Sequence, residues 1–80
     1  MAHDTGSLIT PVGLKAGEVL TYLEQHGATT LQSILHELEG PGTVVLMAVG
    51  FLIREGLVQG LQHGLEVVLE PRPQLAWQRA

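Results

Sequence analysis

No cysteine occurs in this 80-residue sequence, so neither a disulfide nor a thiolate metal site can brace the fold. Cations are scarce as well. Lys15, Arg54, Arg72 and Arg79 stand against eight acids, for a net charge of −4. Between Leu14 and Glu70 the imbalance sharpens to seven glutamates against two bases. Such a surface repels the phosphates of nucleic acid and has no attraction for an anionic membrane. No run of 18 apolar residues is present, so no membrane-spanning helix is expected. The N-terminus MAHDTGSLITPVG has neither the basic start nor the apolar run of a signal peptide, and the protein is read as cytoplasmic. A single domain of this size buries only about 60% of its unfolded surface. Without staples, stability must come from close packing or self-association, and an apolar content of 45% favours both.

What is present is organised around Thr43 to Gly56, TVVLMAVGFLIREG. Val45, Ala48, Val49 and Leu52 fall at i, i+3, i+4 and i+7, the spacing of a buried helical stripe. The opposite side carries Leu46, Met47, Gly50 and Phe51, with no charge before Arg54. A helix that is apolar all round must be covered on both sides.

Residues 1–11 are polar and end in Thr10-Pro11, and they are expected as an arm outside the domain of residues 12–70. His3 and Asp4, within it, are two ligands where a metal site takes about four. From Leu14 to His26 the residues Ala16, Val19, Leu20 and Leu23 mark the buried face of a first helix. It closes at Gly27, a residue suited to the left-handed cap, with His26 in the last turn complementing the helix dipole when charged. Thr30 is the expected N-cap of a second helix with Leu31, Ile34, Leu35 and Leu38 on one face. Gly40-Pro41-Gly42 ends it, and Thr43 is the expected N-cap of the third. His36-Glu37 opens like a zinc-protease motif, but the second histidine would fall at position 40, which is Gly40.

After Gly56 two β-type runs, Leu57–Leu61 and Leu65–Leu69, flank Gln62-His63-Gly64, which reads as a hairpin connection. Leu65, Val67 and Leu69 are expected to share one face. Residues 71–80 follow as a tail whose prolines are expected to stop the sheet. It holds Leu75 and Trp77, which either trail from the domain or dock on an apolar surface of this subunit or a neighbour. The order helix, helix, helix, hairpin predicts an α+β, mostly α, winged helix-turn-helix: three helices with a C-terminal β-hairpin wing.

The run Val45–Glu55, preceded by Gly17-x-x-Leu20-x-x-Leu23, resembles a family of small, uncharacterised prokaryotic winged helix-turn-helix proteins. That family carries Met-Ala-aliphatic-Gly-aromatic-Leu-x-Arg-Glu where this chain has Met47 to Glu55. The resemblance spans Val12 to Glu70 and implies the fold and, by analogy with other winged helices, a role in transcription regulation through DNA. The chain departs from the pattern at Gly40-Pro41-Gly42, where a polar, often acidic turn is expected, and in its Pro- and Trp-containing tail.

Base edges are read by side chains that donate or accept hydrogen bonds. On the outer side of the third helix only Thr43 and Arg54 qualify; Gln62 and His63 of the wing complete the residues available for nucleic-acid contact, and the wing holds no Lys or Arg. The other use of that side is a protein interface of Leu46, Met47, Gly50 and Phe51, joined by Trp77, in a homodimer or with a protein partner; Met and aromatics are enriched at such surfaces and charges depleted. A third reading has the wing or the Trp77 tail folded over the same face within one subunit. Paired carboxylates, a nucleophile elbow, a phosphate loop and metal-ligand spacing are all missing. The chain is therefore expected not to be an enzyme and to need no cofactor, metal or small-molecule substrate.

Overall fold

The structure is a computed structural model that describes residues 6–72. In chain order it comprises α1 (Ile9–His26), β1 (Thr29–Thr30), α2 (Leu31–Glu37), α3 (Gly42–Arg54), β2 (Val58–His63) and β3 (Glu66–Pro71). The three strands form one antiparallel sheet in the order β1-β3-β2. This is the winged helix-turn-helix arrangement, with β2 and β3 as the wing and β1 a two-residue strand that pairs Thr29 with Leu69 and Thr30 with Val68.

The core contains Ala16, Val19 and Leu23 from α1, Ile34 from α2, Val45, Ala48, Val49 and Leu52 from α3, and Val58 and Leu69 from the sheet. The stripe expected on the third helix is thus buried whole. Leu20, Leu31, Leu35 and Leu38, also expected inside, are half-buried at the margin of this cluster. Removing a residue such as Leu23 or Leu52 from water is worth about 1.5–3 kcal/mol, and no described polar side chain is buried among them.

Local chemistry sets the element ends. Thr30 caps α2, its Oγ1 accepting from the Ser33 amide at 3.1 Å. Gly27 takes φ +78° past α1 and donates its N–H to the Leu23 carbonyl at 2.7 Å. The His26 Nδ1–H donates to the Tyr22 carbonyl at 2.8 Å, and the two rings stack with centroids 4.0 Å apart.

Four expectations are corrected. First, α1 starts at Ile9 instead of Leu14, so Thr10 and Pro11 belong to its first turn rather than to an arm. The first backbone bond of the helix runs from Val12 N–H to the Leu8 carbonyl, so the missing N–H of Pro11 costs no bond. Second, α3 is capped by Pro41, not Thr43: the Pro41 carbonyl accepts from Val44 and Val45, and Thr43 is an exposed residue inside the helix. Third, the hairpin turns at Gly64-Leu65, with Gly64 at φ +62° in the first central position, as a II′ turn requires. His63 consequently pairs with Glu66 inside the ladder, and Leu65 is fully exposed at the tip instead of sharing the inner face with Leu69. Fourth, Pro71 lies within β3 opposite Val58. The next amide, Arg72 N–H, donates to the Leu57 carbonyl at 3.0 Å, so the nitrogen of Pro71 faces the other way, where β1 has already ended.

One polar interaction ties the helices together. Lys15 of α1 donates from Nζ to the Glu39 carbonyl at 2.7 Å, in the turn between α2 and α3, and to Glu18 Oε1 at 2.7 Å. Its side chain is only 13% exposed, whereas that of Glu18 is 54% exposed. Gly40, at φ +102°, holds this turn in a backbone conformation that a side chain would strain. A hydrogen bond from a charged donor outweighs an exposed ion pair. Lys15→Met is therefore expected to destabilise the fold by about 1.5 kcal/mol in urea unfolding, and Glu18→Gln by about 0.5 kcal/mol or less. Equal losses for the two variants would contradict this division.

Candidate interaction face

A helical repeat of 3.6 residues that turns Val45, Ala48, Val49 and Leu52 inward turns Thr43, Leu46, Met47, Gly50 and Arg54 outward. Phe51 and Ile53 lie on the two flanks. In the structure Leu46, Met47, Phe51 and Ile53 are 45%, 41%, 46% and 42% exposed, values at which a core residue would be misplaced. Thr43, Gly50 and Arg54 are exposed beside them. Arg54 is the only charge along the 13 residues of α3.

The flanks have different neighbours. Ile53 leans on the wing: its Cδ1 lies 3.1 Å from where a Cβ of residue 60 would be, so the glycine at Gly60 is what lets β2 come this close. Phe51 meets α1, closing a groove of about 230 Å³ lined by Ile9, Val12, Gly13 and Phe51, all apolar. Ile9 is 81% exposed at its rim. At Gly13 and Gly50 no described atom outside the helix's own backbone lies within 4 Å of an added Cβ, so packing within the described residues gives neither glycine a reason. Each glycine costs its helix about 1 kcal/mol relative to alanine.

Leu46, Met47, Gly50 and Phe51 therefore share one exposed face, and Thr43 and Arg54 lie on it too. Gln62 and His63 do not join them. They are exposed near the far end of the wing, whose tip residues Leu65 and Glu66 share a groove with Thr30, Leu31 and Leu35 at the start of α2. It is the base of the hairpin, at Gly60, that meets α3. Trp77 and Leu75, like His3 and Asp4, lie outside the described residues. Four contributors, Ile53, Ile9, Val12 and Gly13, escape the sequence reading. Ile53 was overlooked because its i+7 partner Leu46 was assigned to the patch without it. Ile9, Val12 and Gly13 were overlooked because Pro11 placed the helix start too late, although Ile9, Val12, Ala16, Val19 and Leu23 continue one helical stripe.

Elsewhere the surface holds less chemistry. A broad open depression of about 670 Å³ runs past Leu14, Gly17, Thr21 and Gln25 of α1 to Leu38. The carboxylate lining it, Glu18, is engaged by Lys15. Among the described residues no group of three or more His, Cys, Asp or Glu is placed to hold a metal, and no helix is long and apolar enough to cross a membrane.

No curated protein and no solved structure matches the chain. A family model does, described as a winged helix-turn-helix domain (DUF2582), and it matches residues 1–70 with the fold seen here. The chain belongs to that winged helix-turn-helix family.

Proposed function

We propose that this winged helix-turn-helix domain is a non-catalytic cytoplasmic module that acts by protein contact, through self-association on the outer face of α3. The observation that carries this reading is the exposure of Leu46, Met47, Phe51 and Ile53 around the open backbone of Gly50, with one charge on the whole helix. Contiguous apolar surface of this kind marks interfaces, and a bare backbone at its centre favours close approach of another element. In a DNA-binding member of this fold class the same helix enters the major groove and presents donors and acceptors to base edges. Here that position is occupied by leucine, methionine and glycine, and Val58–Pro71 supplies no Lys or Arg for phosphates.

Sedimentation velocity tests the reading. The 80-residue chain is expected to associate in a concentration-dependent way, and Leu46→Glu, which charges an exposed position and leaves the core intact, to stay a folded monomer. An unchanged mass distribution for Leu46→Glu would overturn it. Affinity for a random duplex at about 0.15 M salt is expected to be weaker than the 10⁻⁴–10⁻⁶ M usual for non-specific binders. Tight retardation on a gel would reinstate DNA as the partner.

A further inference from the structure

Among the described residues the sheet has one long edge that no strand covers. In the order β1-β3-β2, β3 is paired on both sides and β2 on one. The Leu57 carbonyl accepts from the Arg72 amide, so the backbone groups of Leu57 face the β3 side. Direction alternates along a strand. Those of Gln59, Leu61 and His63 therefore face β3 too, ending on the His63–Glu66 pair that closes the turn. The N–H and C=O of Val58, Gly60 and Gln62 point to the open edge. Val58 is enclosed at 1% exposure, whereas Gly60 and Gln62 are exposed, so the accessible part of the edge is residues 59–63. Sheet edges are ordinarily guarded by lysine, proline, a bulge or brevity. β2 runs six residues in unbroken register with β3 and contains neither Lys nor Pro.

We infer that two copies of this chain pair through β2, antiparallel about a two-fold axis at Leu61, joining their wings into one continuous sheet. The inference rests on the self-association proposed above and gives it an axis.

The register follows from the open groups. A two-fold axis perpendicular to the sheet sets each residue opposite one on the same face. Centred on Leu61, it places Gly60 of each copy opposite Gln62 of the other, and each such pair exchanges two backbone bonds. Centred on Gly60, it would have to engage the enclosed Val58. At Leu61 the two copies of the side chain meet in the closer, non-bonded kind of pair, with Cα atoms about 4.5 Å apart. Gln59 stands opposite His63 of the other copy. Ile53 leans over Gly60 on the inner face, so α3 of both copies lies on one side of the joined sheet, each with its exposed Ile53 flank beside the paired edge.

Charge permits the approach. Each copy carries −4, yet β2 holds no Asp, Glu, Lys or Arg. The acids of the sheet, Glu66 and Glu70, are on β3. Across the joined sheet those of the two copies stand three strand spacings apart, about 14 Å, beyond the screening length of about 8 Å at physiological salt.

Amide exchange and NOE spectra of the 80-residue chain, recorded over a concentration series, test the pairing. The Gly60 and Gln62 amides are expected to gain protection as the chain associates, while those of Gln59 and Leu61, bonded to β3, are protected at every concentration. A contact between the Hα atoms of Gln59 and His63 is expected as well. Within one strand these lie about 13 Å apart, so the contact can arise only between copies. Gln62→Pro removes an N–H that the internal ladder does not use, and is expected to raise the concentration for half-association by about tenfold or more. Gln62→Thr loses the same side-chain bond to the Gly64 carbonyl but keeps the N–H, and is expected to associate like the parent. Association with the Gly60 and Gln62 amides unprotected and no Gln59–His63 contact would overturn the inference and leave the α3 interface standing. Protection and that contact persisting in Leu46→Glu at unchanged mass would establish the strand pairing and overturn the α3 interface. A monomer at every concentration would overturn both.

Discussion

The inner stripe of α3 is the part on which the rest of the molecule is assembled. Val45, Ala48, Val49 and Leu52 contribute four of the ten buried core residues, and α1 packs along them far more extensively than α2 does. The second helix and the sheet close the remaining edges with one residue or two each, Ile34, Val58 and Leu69. On the other side of α3, Leu46, Met47, Phe51 and Ile53 are left exposed by the described residues. The helix is apolar on both sides, and the side turned away from the core forms an exposed face. Lys15 complements this packing from outside, holding the turn that sends the chain from α2 into α3.

That same position is the recognition helix of a winged helix-turn-helix, and the fold by itself does not imply what the helix contacts. The architecture supplies a helix presented to solvent with a wing beside it. Whether the helix reads bases depends on its side chains, and those of this chain have few hydrogen bonds to offer. The balance of seven glutamates against two bases between Leu14 and Glu70 opposes the phosphate attraction that supplies essentially all non-specific DNA binding. In the function proposed above, the exposed helix serves protein contact on an unchanged scaffold, through the residues at 46, 47, 50 and 51.

Much of the fold was legible because it rests on short-range rules. The stripes of α1 and α3 follow from 3.6-residue spacing, the cap at Thr30 from a hydroxyl three residues ahead of Ser33, and the end of α1 from Gly27. What escaped depends on direction or on tertiary partners. Pro11 reads as a helix breaker until the first bonded amide is seen to be Val12. Pro41 outcompetes Thr43 as the cap because its own carbonyl starts the ladder, aided by the positive φ of Gly40. Pro71 remains in β3 because its nitrogen faces the side that β1 vacates, a fact of sheet order that no local pattern contains. The exposed residues of α3 were visible in the sequence. The groove between Phe51 and the start of α1 was not, since it exists only through the packing of two helices far apart in the chain.

The central claim, that the outer face of α3 contacts protein rather than DNA, is tested most directly by amide NMR of the labelled 80-residue chain. One series adds a short duplex at low salt; the other raises protein concentration while the tumbling time reports mass. The expected result is no shift on adding duplex, with slower tumbling and shifts at Leu46, Met47, Gly50 and Phe51 as concentration rises. A monomer at every concentration whose Thr43, Leu46, Met47 and Arg54 signals move when duplex is added would contradict it.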